Sequence, residues 1–213
     1  DLIKSDLETS LTFLNNTPGN TDIATYNTVF YLRPIAVNFM QCKVALLEGD
    51  YTTAQTLATT ILATPGFGLS PRAVYAQMFT DANPGESIFK LSRVAGNNSI
   101  SALFYFNSNA SGGTDPYLYA SKQLFDLFPV TANPANTAVG DIRKNVIFDV
   151  AFDAATNSYP IRKYKATTDG PTISDVKLFR ASEIKLILAE CKARNNDLLG
   201  AAQEVLALRT ARI

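Results

Sequence analysis

The chain of 213 residues contains neither histidine nor tryptophan. Without histidine, the commonest general base and the commonest metal ligand are both missing. Ser-His-Asp and Cys-His catalytic arrangements are therefore impossible within these residues, and a zinc site would have to rest on two cysteines and carboxylates. Without tryptophan, any stacking surface for a flat ligand must come from tyrosine and phenylalanine. Neither sign of charge is in excess: 19 Lys and Arg face 19 Asp and Glu. No basic surplus is present to displace counterions, which argues against a general nucleic-acid binder and says nothing against a neutral ligand. No apolar run is long enough to span a bilayer. No signal peptide is visible, because 1-DLIKSDLETSL-11 is already amphipathic at helical spacing. That opening reads as the interior of a longer protein. The two cysteines, Cys42 and Cys191, sit in apolar, helix-like surroundings. These surroundings favour buried free thiols, with a disulfide as the alternative, and leave the compartment open.

What is present is a large apolar share, 46% of residues, arranged with clear periodicity at both ends. Ile3, Leu7, Leu11 and Leu14 recur at helical spacing before the breaker run Asn15 to Gly19. A second helix is expected over 34-PIAVNFMQCKVALLEGD-50, with Ile35, Phe39, Cys42 and Leu46 as one stripe and Ala36, Met40, Val44 and Leu47 beside it. Pro34 fits its first turn, Gly49 suits a left-handed end, and Asp50 suits the N-cap of a helix carrying Ala54, Leu57, Ala58 and Ile61. After Pro65 the pattern breaks into turns, with one helical turn near Val74 to Phe79 and a short strand at 87-SIFKLS-92. A helix is expected at 118-LYASKQLFDLF-128 and a strand at 159-YPIRKYK-165, while 141-DIRKNVIFDVAF-152 takes no assignment. Helical periodicity returns over 176–196, where Phe179, Ile184, Ile187, Leu188 and Cys191 make a wide apolar face, and Asp197 can cap a last helix.

Two stretches echo each other: EGDYTTAQTL around Asp50 and NNDLLGAAQEV around Asp197. In each, an aspartate starts a helix and a small residue, Ala54 or Ala201, follows four positions later, which lets paired helices approach closely. This is tetratricopeptide-like logic, but more than 100 residues separate the two units. The expectation is one mostly α domain fragment over 1–213, with a helical-pair scaffold at about 1–64 and 175–213. A loop-rich excursion with a few short strands, at about 65–174, is expected to lie between them.

Four stretches, in order, carry a family resemblance. They are 34-PIAVNFMQCKVALLEGDYTTAQTLATTIL-62, 75-YAQMFTDANPGESIFKLS-92, 141-DIR-143 with 163-KY-164, and 180-RASEIKLILAECKARNND-197, with 208-LRTARI-213 trailing. The chain resembles the SusD/RagB family of outer-membrane nutrient-binding lipoproteins of Bacteroidetes. Arg180, Glu183, Ala189 and Glu190 fall where that family's scaffold helix has its Arg, Glu and Ala-Glu. The lipid-anchor cysteine, the first helices and the C-terminal segment of the family have no counterpart here. The resemblance implies a SusD-like fold and non-catalytic binding of glycan nutrients at the extracellular face of the outer membrane. It also implies a SusC-like TonB-dependent transporter as partner, and membrane attachment only through a lipid anchor outside this fragment.

A neutral sugar offers apolar C–H faces and a belt of hydroxyls, held by stacked aromatic rings and by amides or carboxylates. The stretch 104-FYFNSNASGGTDPYLY-119 has that make-up. Tyr105, Asn107, Asn109, Asp115, Tyr117 and Tyr119 are the candidate ligand-binding residues, and Phe104 and Phe106 read as core anchors. Glu183 and Glu190 stand seven residues apart on one helical face, a spacing a glycosidase pair could use. Arg180 and Lys192 are placed to neutralise them, so they read as structural. Asp149 and Asp153 are too sparse for a calcium site, and GNNS and SGG lack the helix and lysine of a phosphate loop. No cofactor, metal or catalytic residue is expected. The Asn-x-Ser/Thr matches at Asn15, Asn97 and Asn109 support surface loops. The alternative reading is a tetratricopeptide-like module that binds protein or peptide and has no sugar site.

Overall fold

A computed structural model describes residues 2–16, 28–94, 100–104, 118–128, 140–148, 159–164, 166–167, 170–171 and 173–213. In chain order the first elements are α1 (Leu2–Asn15), α2 (Pro34–Glu48), α3 (Tyr51–Ala63), α4 (Arg72–Tyr75) running into a 3-10 turn (Ala76–Met78), and β1 (Ser87–Leu91). Then come α5 (Ser101–Phe104), β2 (Tyr119–Ala120), α6 (Lys122–Asp126), α7 (Ile142–Ile147) and β3 (Tyr159–Pro160), which leads to a 3-10 turn (Arg162–Tyr164). The last are β4 (Ala166–Thr167), β5 (Gly170–Pro171), β6 (Val176–Arg180), α8 (Ala181–Arg194) and α9 (Leu198–Thr210). The chain is mostly α, and the described strands pair only two by two: β1 with β6, β2 with β3, β4 with β5. It forms two compact units, one of residues Asp1–Leu69, Glu86–Leu91 and Lys177–Thr210, the other of Ser70–Gly85, Ser92–Val176 and Ala211–Ile213.

The first unit is a row of helices, each packed on the next: α1 on α2, α2 on α3, α3 on α8, α8 on α9. The α2 stripe Ile35, Phe39 and Cys42 is buried as its spacing requires, against Ile61 of α3, Ile88 of β1, and Ile184 and Cys191 of α8. Leu47, in the last turn of α2, departs from the expected face and is 83% exposed.

The two echoing turns are built alike. Gly49 and Asn196 both take the left-handed conformation, at φ 80° and 64°. Glycine has no Cβ to resist it and asparagine tolerates it. The following aspartate then closes each helix and opens the next. Asp50 N–H donates to Ala45 O at 2.9 Å, and Asp197 N–H to Lys192 O at 2.8 Å. Their carboxylates accept the backbone N–H of Thr53 at 3.0 Å and of Gly200 at 2.8 Å. Ala54 and Ala201 are both buried at the helix contacts. Hydrogen bonds from the Thr53 side chain and, next, from its backbone N–H hold the Asp50 carboxyl below the usual range, so this cap stays ionised at neutral pH.

The expected helix over 176–196 is corrected at its start. Val176–Arg180 is strand β6, Arg180 has extended dihedrals of −137° and 148°, and the helix begins at Ala181. The cause is non-local: β6 pairs with β1, and Ala181 N–H donates to Glu86 O at 2.9 Å. Phe179 therefore stacks from a strand, its ring 4.4 Å from that of Phe39. Likewise 118–128 opens with strand β2 before α6, and 159–165 turns into a 3-10 turn after two strand residues. The unassigned 141–152 yields α7, capped by Asp141.

Cys42 and Cys191 are free and buried. The Cys42 thiol donates to Ala54 O at 3.4 Å, and burial pushes its pKa up to about 12. The Cys191 thiol is also pushed up, again chiefly by burial. The thiolate is the nucleophile, so neither cysteine should react with iodoacetamide at mildly alkaline pH until denaturant opens the helices. Mass spectrometry of the alkylated chain checks this; labelling of the native protein would place the thiols at an accessible surface.

Candidate functional site

The second unit contains the root of the stretch chosen for its aromatics and amides. Tyr105, Asn107, Asn109, Asp115 and Tyr117 lie outside the described residues, as do Phe106, Asp149 and Asp153. Their flanks are described. Leu118 N–H donates to Leu103 O at 2.9 Å, so the two ends of the 105–117 segment are joined. Ile161 N–H donates to Phe104 O at 3.0 Å, and the Phe104 ring lies 5.6 Å from that of Tyr164. Phe104 is thus an anchor, half-buried against the turn after β3. Tyr119 sits in β2, opposite Pro160, and is 41% exposed, while Ala120 opposite Tyr159 points inward. This in-out alternation follows from the pleat of even a two-residue strand.

The root stands on an aromatic cluster. Phe125 of α6 stacks on Tyr159 at 4.2 Å and meets Phe148 edge-on at 5.2 Å; Phe128 meets Phe148 at 5.4 Å. Ser121 positions α6 by accepting the Leu124 N–H at 3.1 Å. Asp141 positions α7. It accepts the Arg143 N–H at 3.0 Å and holds the Arg143 side chain in a two-pronged pair, at 3.0 Å from Nε and 2.6 Å from Nη2. Cations lie over the rings: Lys144 Nζ is 4.0 Å from the Phe125 ring centre, the Arg143 guanidinium 5.3 Å from that of Phe128, and Lys163 Nζ 5.3 Å from that of Phe79.

The assembly joins the two ends of the 105–117 segment over an aromatic base and leaves Tyr119 exposed beside them. Sequence reasoning touched Asp141, Arg143, Lys163 and Tyr164 only through the resemblance. Their joint signal, basic residues in step with phenylalanines, is visible in the sequence but has no fixed spacing. Among the described residues, no group of three Cys, Asp or Glu is gathered to hold a metal ion.

The two carboxylates weighed for glycoside hydrolysis are on scaffold helix α8, and their partners differ from those expected. Glu183 pairs with Lys43 at 2.8 Å and Glu190 with Arg194 at 3.5 Å. Arg180 instead faces the buried Glu86 at 3.7 Å, and Lys192 binds Glu204 at 2.6 Å. Lys43 and Lys192 bridge neighbouring helices, Arg180 at the end of β6 faces the turn before β1, and the Glu190–Arg194 pair is a local i,i+4 contact.

No family model and no curated protein matches this sequence. Solved structures do. A SusD superfamily protein from Bacteroides fragilis aligns with a TM-score of 0.74 at 18% identity, covering 98% of this chain and 50% of that one. A SusD superfamily protein from Bacteroides thetaiotaomicron gives 0.72 at 18% identity, with 98% and 46% covered. Surface glycan-binding protein A from Bacteroides uniformis gives 0.69 at 14% identity, with 99% and 48% covered. The chain therefore has the fold of SusD superfamily proteins and spans about half the length of these relatives.

Proposed function

We propose that this chain is part of a non-catalytic surface receptor. It binds oligo- or polysaccharide and passes it to a SusC-like TonB-dependent transporter in the outer membrane. The parent protein would sit on the extracellular face, held by a lipid anchor outside these residues. The observation that carries the reading is the likeness, over nearly the whole chain, to a fold that includes a surface glycan-binding protein. Two features agree with it. The segment 104–119 has the aromatic and amide composition that sugars need, and its ends are joined over an aromatic base. The scaffold glutamates are ion-paired, as structural carboxylates are. No described helix is long and apolar enough to cross a membrane.

Titration calorimetry with a panel of soluble polysaccharides tests the proposal. Saturable binding is expected with one class of glycan, nearly unchanged by added salt, because a neutral ligand releases no counterions. A Tyr105→Ala/Tyr117→Ala double variant should weaken it at least about tenfold, as expected for the loss of stacking faces. No glycan binding by the folded chain, with peptide binding that falls on helix-face substitutions, would replace this reading with the peptide-binding module.

A further inference from the structure

The helical unit contains a cleft that the glycan reading does not use. It lies between α1, α2 and α3 and has a volume of about 310 Å³. Its floor is apolar, from Leu7 of α1, Val44 and Ala45 of α2 and Leu57 of α3. Its rim carries three carboxylates, Glu8, Glu48 and Asp50, against one ammonium, Lys4. The cleft exists because α1 packs on α2 without fully burying any residue; Leu7, Leu11 and Leu14 are only half-buried.

The carboxylates are in different states of use. Lys4 crosses from α1 to pair with Glu48, and this hydrogen bond raises the lysine pKa. Asp50 accepts the Thr53 N–H and stands exposed at the rim. Glu8 has no ion-pair partner among the described residues and stands exposed one turn beyond Lys4. Lys4 lines the cleft with its ammonium paired to Glu48, so a cation is already held at this rim by one of the three carboxylates.

We infer that the cleft is a docking site for an extended peptide segment that presents an aliphatic side chain next to a lysine or arginine. A groove between packed helices takes such segments by burying the aliphatic group on an apolar floor. The carboxylate excess on the rim selects a cation and disfavours an acidic segment. An uncharged sugar would gain nothing from that excess. The cleft shares no residue with the 104–119 segment, so it stands or falls independently of the glycan reading.

Fluorescence anisotropy on the full chain tests it, with a fluorescein-labelled Ala-Leu-Lys-Leu-Lys-Ala peptide and its Ala-Leu-Glu-Leu-Glu-Ala counterpart. The basic peptide should bind saturably and weaken with salt; the acidic one should not bind. Glu8→Gln should weaken the basic peptide about threefold, and Lys4→Ala, which releases Glu48, should tighten it about threefold, the size expected for single exposed charges. Both residues are exposed, so circular dichroism should be unchanged in both variants. The Tyr105→Ala/Tyr117→Ala variant should bind the peptide as the parent does. Equal affinity for the two peptides, no binding by folded chain, displacement by a neutral oligosaccharide, or movement of both variants in the same direction overturns the inference.

Discussion

Phe39→Ala should lower the unfolding free energy by about 3–5 kcal/mol, the range for deleting a buried aromatic ring. Phe39 is 0% exposed and lies in the cluster where α2, α3 and α8 meet β1. Its ring stacks on Phe179 at 4.4 Å and 13°, and Phe179 in turn meets Phe89 at 5.7 Å. One truncation therefore empties the space beneath both strands of the β1–β6 pair and between the helices. The walls cannot close on it easily, because Ile61, Ile88 and Ile184 are already fully buried around the cluster. Urea unfolding read by circular dichroism gives the midpoint and slope. Phe39→Leu should cost less, about 1–2 kcal/mol, since most of the volume stays. Phe13→Ala is the control: that ring is 71% exposed, and its loss should stay within about 0.5 kcal/mol. Equal midpoints for Phe39→Ala and Phe13→Ala would mean that the first unit has no core at the α2–β6 stack.

The same residues show what a sequence reveals and what it hides. The stripe Ile35, Phe39 and Cys42, the left-handed Gly49 and the capping Asp50 and Asp197 were all legible, because each depends on neighbours within one or two turns. The packing of α3 on α8 was not legible, because some 120 residues separate those helices and the echo of the two turns speaks only to the pairing within each unit. Phe179 was assigned to the wrong element. Its spacing to Ile184 and Ile187 fits a helix, and only the pairing of β6 with β1, nearly 90 residues earlier, makes it a strand residue. The partners of Glu183 and Arg180 were misjudged for the same reason: Lys43 and Glu86 come from distant elements. Strand β2 is two residues long, too short for any period to show. At the candidate site, composition singled out the 104–119 segment but could not show that Leu103 and Leu118 bond to each other, or that Ile161 reaches Phe104. Backbone bonds between loops leave no trace in residue type. The cleft between α1, α2 and α3 was equally hidden, since it depends on how loosely one helix sits on another.

Arg212→Ala should destabilise the second unit by about 2–4 kcal/mol, combining a lost charged hydrogen bond, a lost ring contact and a cavity. The guanidinium is almost completely buried. Its Nη1 donates to Ser70 O at 3.1 Å and Ala211 O at 3.0 Å, and its Cζ lies over the Tyr75 ring, 4.1 Å from the ring centre. Tyr75 is itself buried and meets Phe79 edge-on at 5.3 Å. The backbone at the same residue takes part as well: Ile142 N–H donates to Arg212 O at 2.9 Å, next to the Asp141 cap of α7. Residues from three distant stretches, at 70–75, 141–143 and 211–213, are thus tied through one side chain and its carbonyl. Arg212→Lys should recover less than half of the loss, because an ammonium can neither lie flat on Tyr75 nor keep the guanidinium's planar donor array. The deficit should change little with salt, since the contact is shielded from solvent. Hydrogen exchange separates a local tie from general weakening. In Arg212→Ala the Ile142 amide should lose protection while the α2 and α8 amides keep theirs, since those helices belong to the other unit. Uniform loss across both units would mean that they unfold as one, and that Arg212 supports the whole chain rather than the base on which the 104–119 segment is mounted.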